Sequence, residues 1–155
     1  MSDLTLKVNG QTVTLDPERG ETLLTCLRNR CGLTATRQGC SSGHCGACTV
    51  IMDGNAVQAC QVFLTGQSDA SIETLEAVRE TALGGRIAAA LIDRQAAQCG
   101  YCLSGIVMSA YAALSRAAPD AVPDPVAYLG RNLCRCGAHP RILAALRGLA
   151  TEAQP

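Results

Sequence analysis

Arg37-Gln38-Gly39-Cys40-Ser41-Ser42-Gly43-His44-Cys45-Gly46-Ala47-Cys48 holds three cysteines in the spacing C-x4-C-x2-C, and a fourth, Cys60, follows. This is the plant-type spacing for a [2Fe–2S] cluster. Three thiolates must converge on two irons from one short loop, so the chain has to wrap around the inorganic core. Gly39, Gly43 and Gly46 allow the tight and positive-φ turns of such a wrap. Ser41, Ser42 and Ala47 are small enough for backbone N–H groups to approach sulfur, and such hydrogen bonds tune a reduction potential.

The rest of the 155 residues is unusual mainly in its sulfur. There are 10 cysteines, no Trp, 1 Phe and 3 Tyr, so the core must be aliphatic or be helped by something else. Formal net charge is zero, which gives no reason to expect nucleic acid as a partner. A disulfide scaffold is the first rival reading of so many cysteines. The N-terminus Met1-Ser2-Asp3-Leu4-Thr5 has neither the basic start nor the apolar run of an export signal, and the cysteines cluster as metal ligands do. No stretch is long enough to span a bilayer, so no membrane insertion is expected.

Leu4 to Val8 and Thr12 to Leu15 alternate around Asn9-Gly10, a hairpin signal. Glu21 to Arg30 reads as a helix carrying Leu23, Leu24 and Leu27 on one face. Cys26 and Cys31 fit no ligand spacing and read as small buried hydrophobes or spare thiols. After the cysteine loop, Thr49 to Met52 and Ala56 to Cys60 flank Asp53-Gly54 as a second hairpin, and Ile72 and Thr74 suit a last short strand. The first half is thus a mixed sheet with one helix across it. Helical spacing takes over afterwards, in Leu83, Ile87 and Leu91, in Leu103 to Leu114, and in Ile142 to Leu149, with Asp124-Pro125 as a helix start. The fold class is α+β, with a first domain over residues 1–76 and a helical one over 77–155.

The helical half repeats one device: Cys99-Gly100-Tyr101-Cys102 and Cys134-Arg135-Cys136 each lead into a helix. Two helix N-termini directed at one point favour an anionic cluster and lower thiolate pKa values. Taken alone, this set suits zinc and iron–sulfur equally, with a redox C-x2-C as a third option. A plant-type loop beside it makes two [2Fe–2S] clusters the economical reading.

The strings Gly39-Cys40-x2-Gly43-x-Cys45-Gly46-Ala47-Cys48-Thr49-Val50, Gln98-Cys99-Gly100-x-Cys102 and Asn132-Leu133-Cys134-Arg135-Cys136 occur in order over almost the whole chain. Together they resemble the iron–sulfur subunit of the xanthine oxidase family of molybdenum hydroxylases. The resemblance implies a β-grasp ferredoxin-like domain, with Cys40, Cys45, Cys48 and Cys60 as ligands. It implies a four-helix domain behind it, with Cys99, Cys102, Cys134 and Cys136 as ligands. It further implies a large partner subunit whose molybdopterin cofactor oxidises an aldehyde or an N-heterocycle, and it puts Gln98 and Cys136 in contact with that pterin. Many relatives continue Cys-Arg-Cys with Thr-Gly-Tyr. Here Gly137-Ala138-His139-Pro140-Arg141-Ile142 follows, similar to the isoquinoline 1-oxidoreductase branch, where some members use a cytochrome c instead of a flavin subunit. His139 reads as a residue at a helix start rather than a metal ligand.

No catalytic base, nucleophile or substrate pocket stands out, and the 2 His are not paired with a nucleophile motif. The expectation is an electron-transfer subunit that links a molybdenum-bearing partner to an acceptor. The rivals are a free-standing ferredoxin, which leaves the second cysteine set unused, and a zinc-bearing structural module. The cytoplasm is the expected compartment, with export beside a signal-bearing partner as the alternative.

Overall fold

The computed structural model describes residues 4–65, 69–118 and 123–151. Asn9 and Gly10 both take positive φ, 50° and 79°, which joins β1 (Leu4–Val8) to β2 (Gln11–Leu15) as a tight antiparallel hairpin. Asp53 and Gly54, at 48° and 77°, do the same for β3 (Thr49–Met52) and β4 (Asn55–Gln58). The short β5 (Ser71–Glu73) lies between the hairpins, parallel to β1 and antiparallel to β3. The resulting order is β2-β1-β5-β3-β4.

α1 (Leu23–Asn29) starts at Thr22, whose side chain accepts the Thr25 N–H, and it buries Leu23, Leu24, Cys26 and Leu27 against the sheet. Each such leucine contributes roughly 1.5–3 kcal/mol on burial. The return strand ends earlier than its sequence suggests. Cys60 sits in a single 3-10 turn, Ala59–Gln61, which packs on α1.

The helical half comprises α2 (Leu75–Val78), α3 (Ala82–Asp93), α4 (Leu103–Ser115), α5 (Pro125–Tyr128) and α6 (His139–Thr151). Thr81 caps α3 through the Gly84 N–H, and Asp124 caps α5, with Pro125 at the first helical position. α3, α4 and α6 bury Ile87, Leu91, Ile106, Ala110, Ile142 and Leu146 in a second aliphatic core. A third cluster, Ile51, Val78, Met108 and Ala112, lies between β3, α2 and α4 and joins the two halves. No helix among the described residues is long and apolar enough to cross a membrane.

Candidate metal centres

The first centre is built by the loop that precedes β3. Cys40 Sγ accepts three backbone N–H groups, from Ser42 (3.4 Å), His44 (3.3 Å) and Cys45 (3.3 Å). The Ser42 bond is the largest influence, followed by its side chain and the other two amides. Together they hold the exposed Cys40 thiol down at about 5 against an ordinary 9.0. Cys45 Sγ in turn accepts the Cys40 N–H at 3.3 Å. Gly43 and Gly46 take positive φ, as the wrap requires, and so does Ser41, at 55°. Gly39 serves differently. A Cβ there would lie 2.5 Å from Cys45 Sγ, so its role is to leave room for sulfur.

Cys48 and Cys60 form the inner side of this centre. Both are buried, and their thiols lie close enough to influence each other. Burial pushes Cys48 up to about 12. Gln61 donates from its side-chain amide to Cys60 Sγ at 3.4 Å.

The second centre repeats the same division. Cys136 and Cys99 touch through sulfur at 3.4 Å and are exposed, while Cys102 and Cys134 lie near each other and are half-buried. Burial pushes Cys102 up to about 12. The Tyr101 N–H lowers Cys99, and the contact with Cys99 raises Cys136. At Cys134 burial acts upward, but the Ala138 and Cys136 N–H groups and the Cys102 thiol outweigh it, so this thiol is lowered. All four cysteines line one shallow cleft together with Gln98, which is exposed.

Among the described residues no three His, Cys, Asp or Glu side chains close around a single metal-ion position. The sulfurs stand two and two, and donors point at them from the backbone. Two thiolates for each of two irons is the ligand set of a [2Fe–2S] core. Thiol chemistry, the amides on Cys40 and the space left by Gly39 all fit that group.

His139 is not part of either centre. Its Nε2 donates to the Asn132 carbonyl oxygen at 2.9 Å. Cys26 is fully buried, pushed up to about 12 first by burial and then by Cys31, so it stays a thiol within the first core.

The two centres share a wall that no motif in the sequence marks. Three consecutive carbonyls of the cysteine loop accept from the helical half. Cys45 accepts the Leu133 N–H at 2.9 Å, Gly46 the Asn132 amide at 3.1 Å, and Ala47 the Ser104 hydroxyl at 3.3 Å. Leu133 directly precedes Cys134, so one hydrogen bond links a residue of the first set to the neighbour of a residue of the second. Tyr101, between Cys99 and Cys102, donates its hydroxyl to the Gln38 carbonyl at 2.6 Å and lies under the Arg37 guanidinium at 5.5 Å. These partners go unmarked because each accepts through its backbone.

Comparison with known proteins agrees with this layout. The family described as "2Fe-2S iron-sulfur cluster binding domain" matches residues 6–82, and the one described as "[2Fe-2S] binding domain" matches residues 74–147. A nicotinate dehydrogenase subunit of Pseudomonas putida is 43% identical, over 95% of this chain and 94% of its own length. The aldehyde oxidoreductase iron-sulfur-binding subunit PaoA of Escherichia coli is 37% identical, over 96% of this chain and 72% of its own. Among solved structures, quinoline 2-oxidoreductase from Pseudomonas putida 86 superimposes with a TM-score of 0.84 at 27% identity, covering 99% of this chain and 96% of that one.

Proposed function

The chain belongs to the iron–sulfur subunits of the xanthine oxidase family of molybdenum hydroxylases, and from this premise we propose that it carries electrons from a molybdopterin centre on a large partner subunit, through two [2Fe–2S] clusters, to an acceptor. Each cluster, when bound, takes up and releases one electron at a time, so a two-electron oxidation is drained in single steps.

In this reading Cys40, Cys45, Cys48 and Cys60 hold one cluster, in a ferredoxin-like domain over residues 1–76. Cys99, Cys102, Cys134 and Cys136 hold the other, in a helical domain over 77–155. The amides of Ser42, His44 and Cys45 stabilise negative charge on Cys40 Sγ, and Gln61 does so at Cys60. Cys48 and Cys60 keep their side of the first centre away from water. Gln98 and Cys136, both exposed at the second centre, are the residues offered to the partner's molybdopterin. Gln98 both donates and accepts through its amide, which suits a pterin edge.

The chain supplies no catalytic residue of its own. The substrate, an aldehyde or an N-heterocycle, binds on the partner. A nicotinate dehydrogenase among its relatives favours the heterocycle. The acceptor is a cytochrome c or a flavoprotein. The complex works in the cytoplasm, or in the periplasm if a signal-bearing partner carries it there.

The observation that carries this reading is the pair of two-and-two thiol sets, joined by the Cys45 to Leu133 hydrogen bond. Its test is purification of the chain from its native host. A large molybdenum-containing subunit should accompany it, with about four irons and four sulfides per chain. Iron near two with zinc making up the remainder, or a chain that purifies alone, overturns it.

A further inference from the structure

Cys134 and Cys136 lie in a stretch that begins at Asn132 and ends at His139, the first residue of α6. The two ends of that stretch are tied together. His139, half-buried, brings Nε2 to 2.9 Å from the Asn132 carbonyl oxygen. A carbonyl oxygen only accepts, so the imidazole carries a proton on Nε2.

Asn132 is a fixed post. It is buried, and each of its polar groups is engaged. Its N–H donates to the Leu129 carbonyl at 2.9 Å. Its side-chain oxygen accepts the Ser109 hydroxyl at 2.8 Å, and its side-chain amide donates to the Gly46 carbonyl at 3.1 Å. The stretch between the two ends has less to stiffen it. Arg135, Cys136 and Gly137 are exposed, and Gly137 takes a φ of 76° with open space around it. Ala138 follows, and it is buried, so its N–H cannot turn to water. That N–H acts on the Cys134 sulfur instead. The Ala138 carbonyl accepts the Ile142 N–H at 3.0 Å, so Ala138 moves with the first turn of α6. The imidazole ties that turn back to the post.

We propose that His139 is a positioning residue for the second cluster: by tying α6 to Asn132 it holds the Ala138 N–H on Cys134 Sγ, and so sets that cluster's reduction potential. This rests on the reading that Cys99, Cys102, Cys134 and Cys136 hold a cluster. Hydrogen bonds to sulfur stabilise the negative charge gained on reduction, so loosening one lowers the potential. One electron enters or leaves the cluster, and the imidazole neither gains nor loses a proton.

The test is an EPR-monitored redox titration of the full iron-loaded chain as parent, as His139→Phe, which keeps a ring without the donor, and as His139→Gln, whose amide restores a donor. At the parent's midpoint for the second cluster, the ratio of reduced to oxidised cluster should drop about fivefold in His139→Phe and by less than about twofold in His139→Gln. The first cluster should titrate as in the parent. Hydrogen exchange read by mass spectrometry should quicken over residues 134–139 in His139→Phe. Retention of the second cluster by His139→Gln and its loss by His139→Phe also supports the proposal. An unmoved potential, an equal shift at both clusters, or His139→Gln behaving as His139→Phe overturns it. A parent with no second cluster overturns the reading of the cysteine set and this inference with it, whereas two loaded clusters with unmoved potentials overturn this inference alone.

Discussion

Gly105→Ala tests how closely α4 approaches the cysteine loop. A Cβ at Gly105 would overlap the Gly46 carbonyl oxygen, and would lie 2.9 Å from its carbon and 3.1 Å from Ala47 Cα. The overlap with the carbonyl oxygen is the deepest of the three, so α4 must retreat by more than about one ångström to relieve it. The Ser104 to Ala47 bond, already 3.3 Å long, does not survive that shift. Overpacking costs about 1–3 kcal/mol and the lost hydrogen bond about 1 more. In a chain of this size that lowers the melting temperature by about 4–16 °C. Gly85→Ala is the control. Gly85 lies in α3, is exposed, and has open space where a Cβ would stand. There alanine should stabilise by about 0.5–1 kcal/mol and raise the melting point slightly. The assay is a thermal scan of both iron-loaded variants at one scan rate, followed by far-UV circular dichroism and by the visible colour of the protein. A Gly105→Ala midpoint within about 2 °C of the parent refutes the close contact. The same holds if the two alanines shift the midpoint in the same direction.

Cys45→Ser should lose one of two clusters and expose the 39–48 loop to protease, because metal binding and loop order are coupled; cleavage at the parental rate counts against it. Gln98→Ala should leave both cluster EPR signals intact while slowing reduction by substrate, by about tenfold for a lost interfacial bond of 1–3 kcal/mol; an unchanged rate in rapid mixing removes Gln98 from the interface. In protein stripped of iron, Cys40 should be alkylated by iodoacetamide well below its ordinary 9.0, down to about 5, while Cys26, held near 12, stays unreacted. The depressed Cys40 value also favours the folded form above pH 9.0, and that contribution fades as pH falls through about 5. Mass spectrometry across this range decides it, and a Cys40 no more reactive than Cys26 refutes it.

The hairpins were legible because Asn9-Gly10 and Asp53-Gly54 are residue types that accept positive φ, and both pairs adopt it. The cysteine strings were legible because ligand spacing is a local property. Four things were not. Gly39 suggested backbone freedom, but it provides space for Cys45 Sγ. Ser41 takes φ 55° without being glycine. Cys60 read as the end of a strand, and it sits in a 3-10 turn. The wall between the centres was the least legible part. Its donors Ser104, Tyr101 and Asn132 lie 57, 63 and 86 residues from the carbonyls they reach. A backbone carbonyl looks the same in every residue, so no local pattern marks the acceptor.

That wall changes what a boundary near residue 76 means. The two halves bury separate aliphatic cores, which is why their periodicities differ so cleanly along the chain. Yet Ile51 packs with Met108 and Ala112, and the carbonyls of Cys45, Gly46 and Ala47 find donors in the helical half. Splitting the chain there would expose apolar surface on β3 and leave the far side of the cysteine loop without these partners. Two cores lie along the chain, and these contacts join them. For a chain that relays electrons this is the useful arrangement, since the spacing of two redox centres has to be fixed more tightly than a flexible linker allows. The fixing is done by Gly46 and Gly105, whose missing side chains let two backbones meet, and by three hydrogen bonds that need that closeness to form.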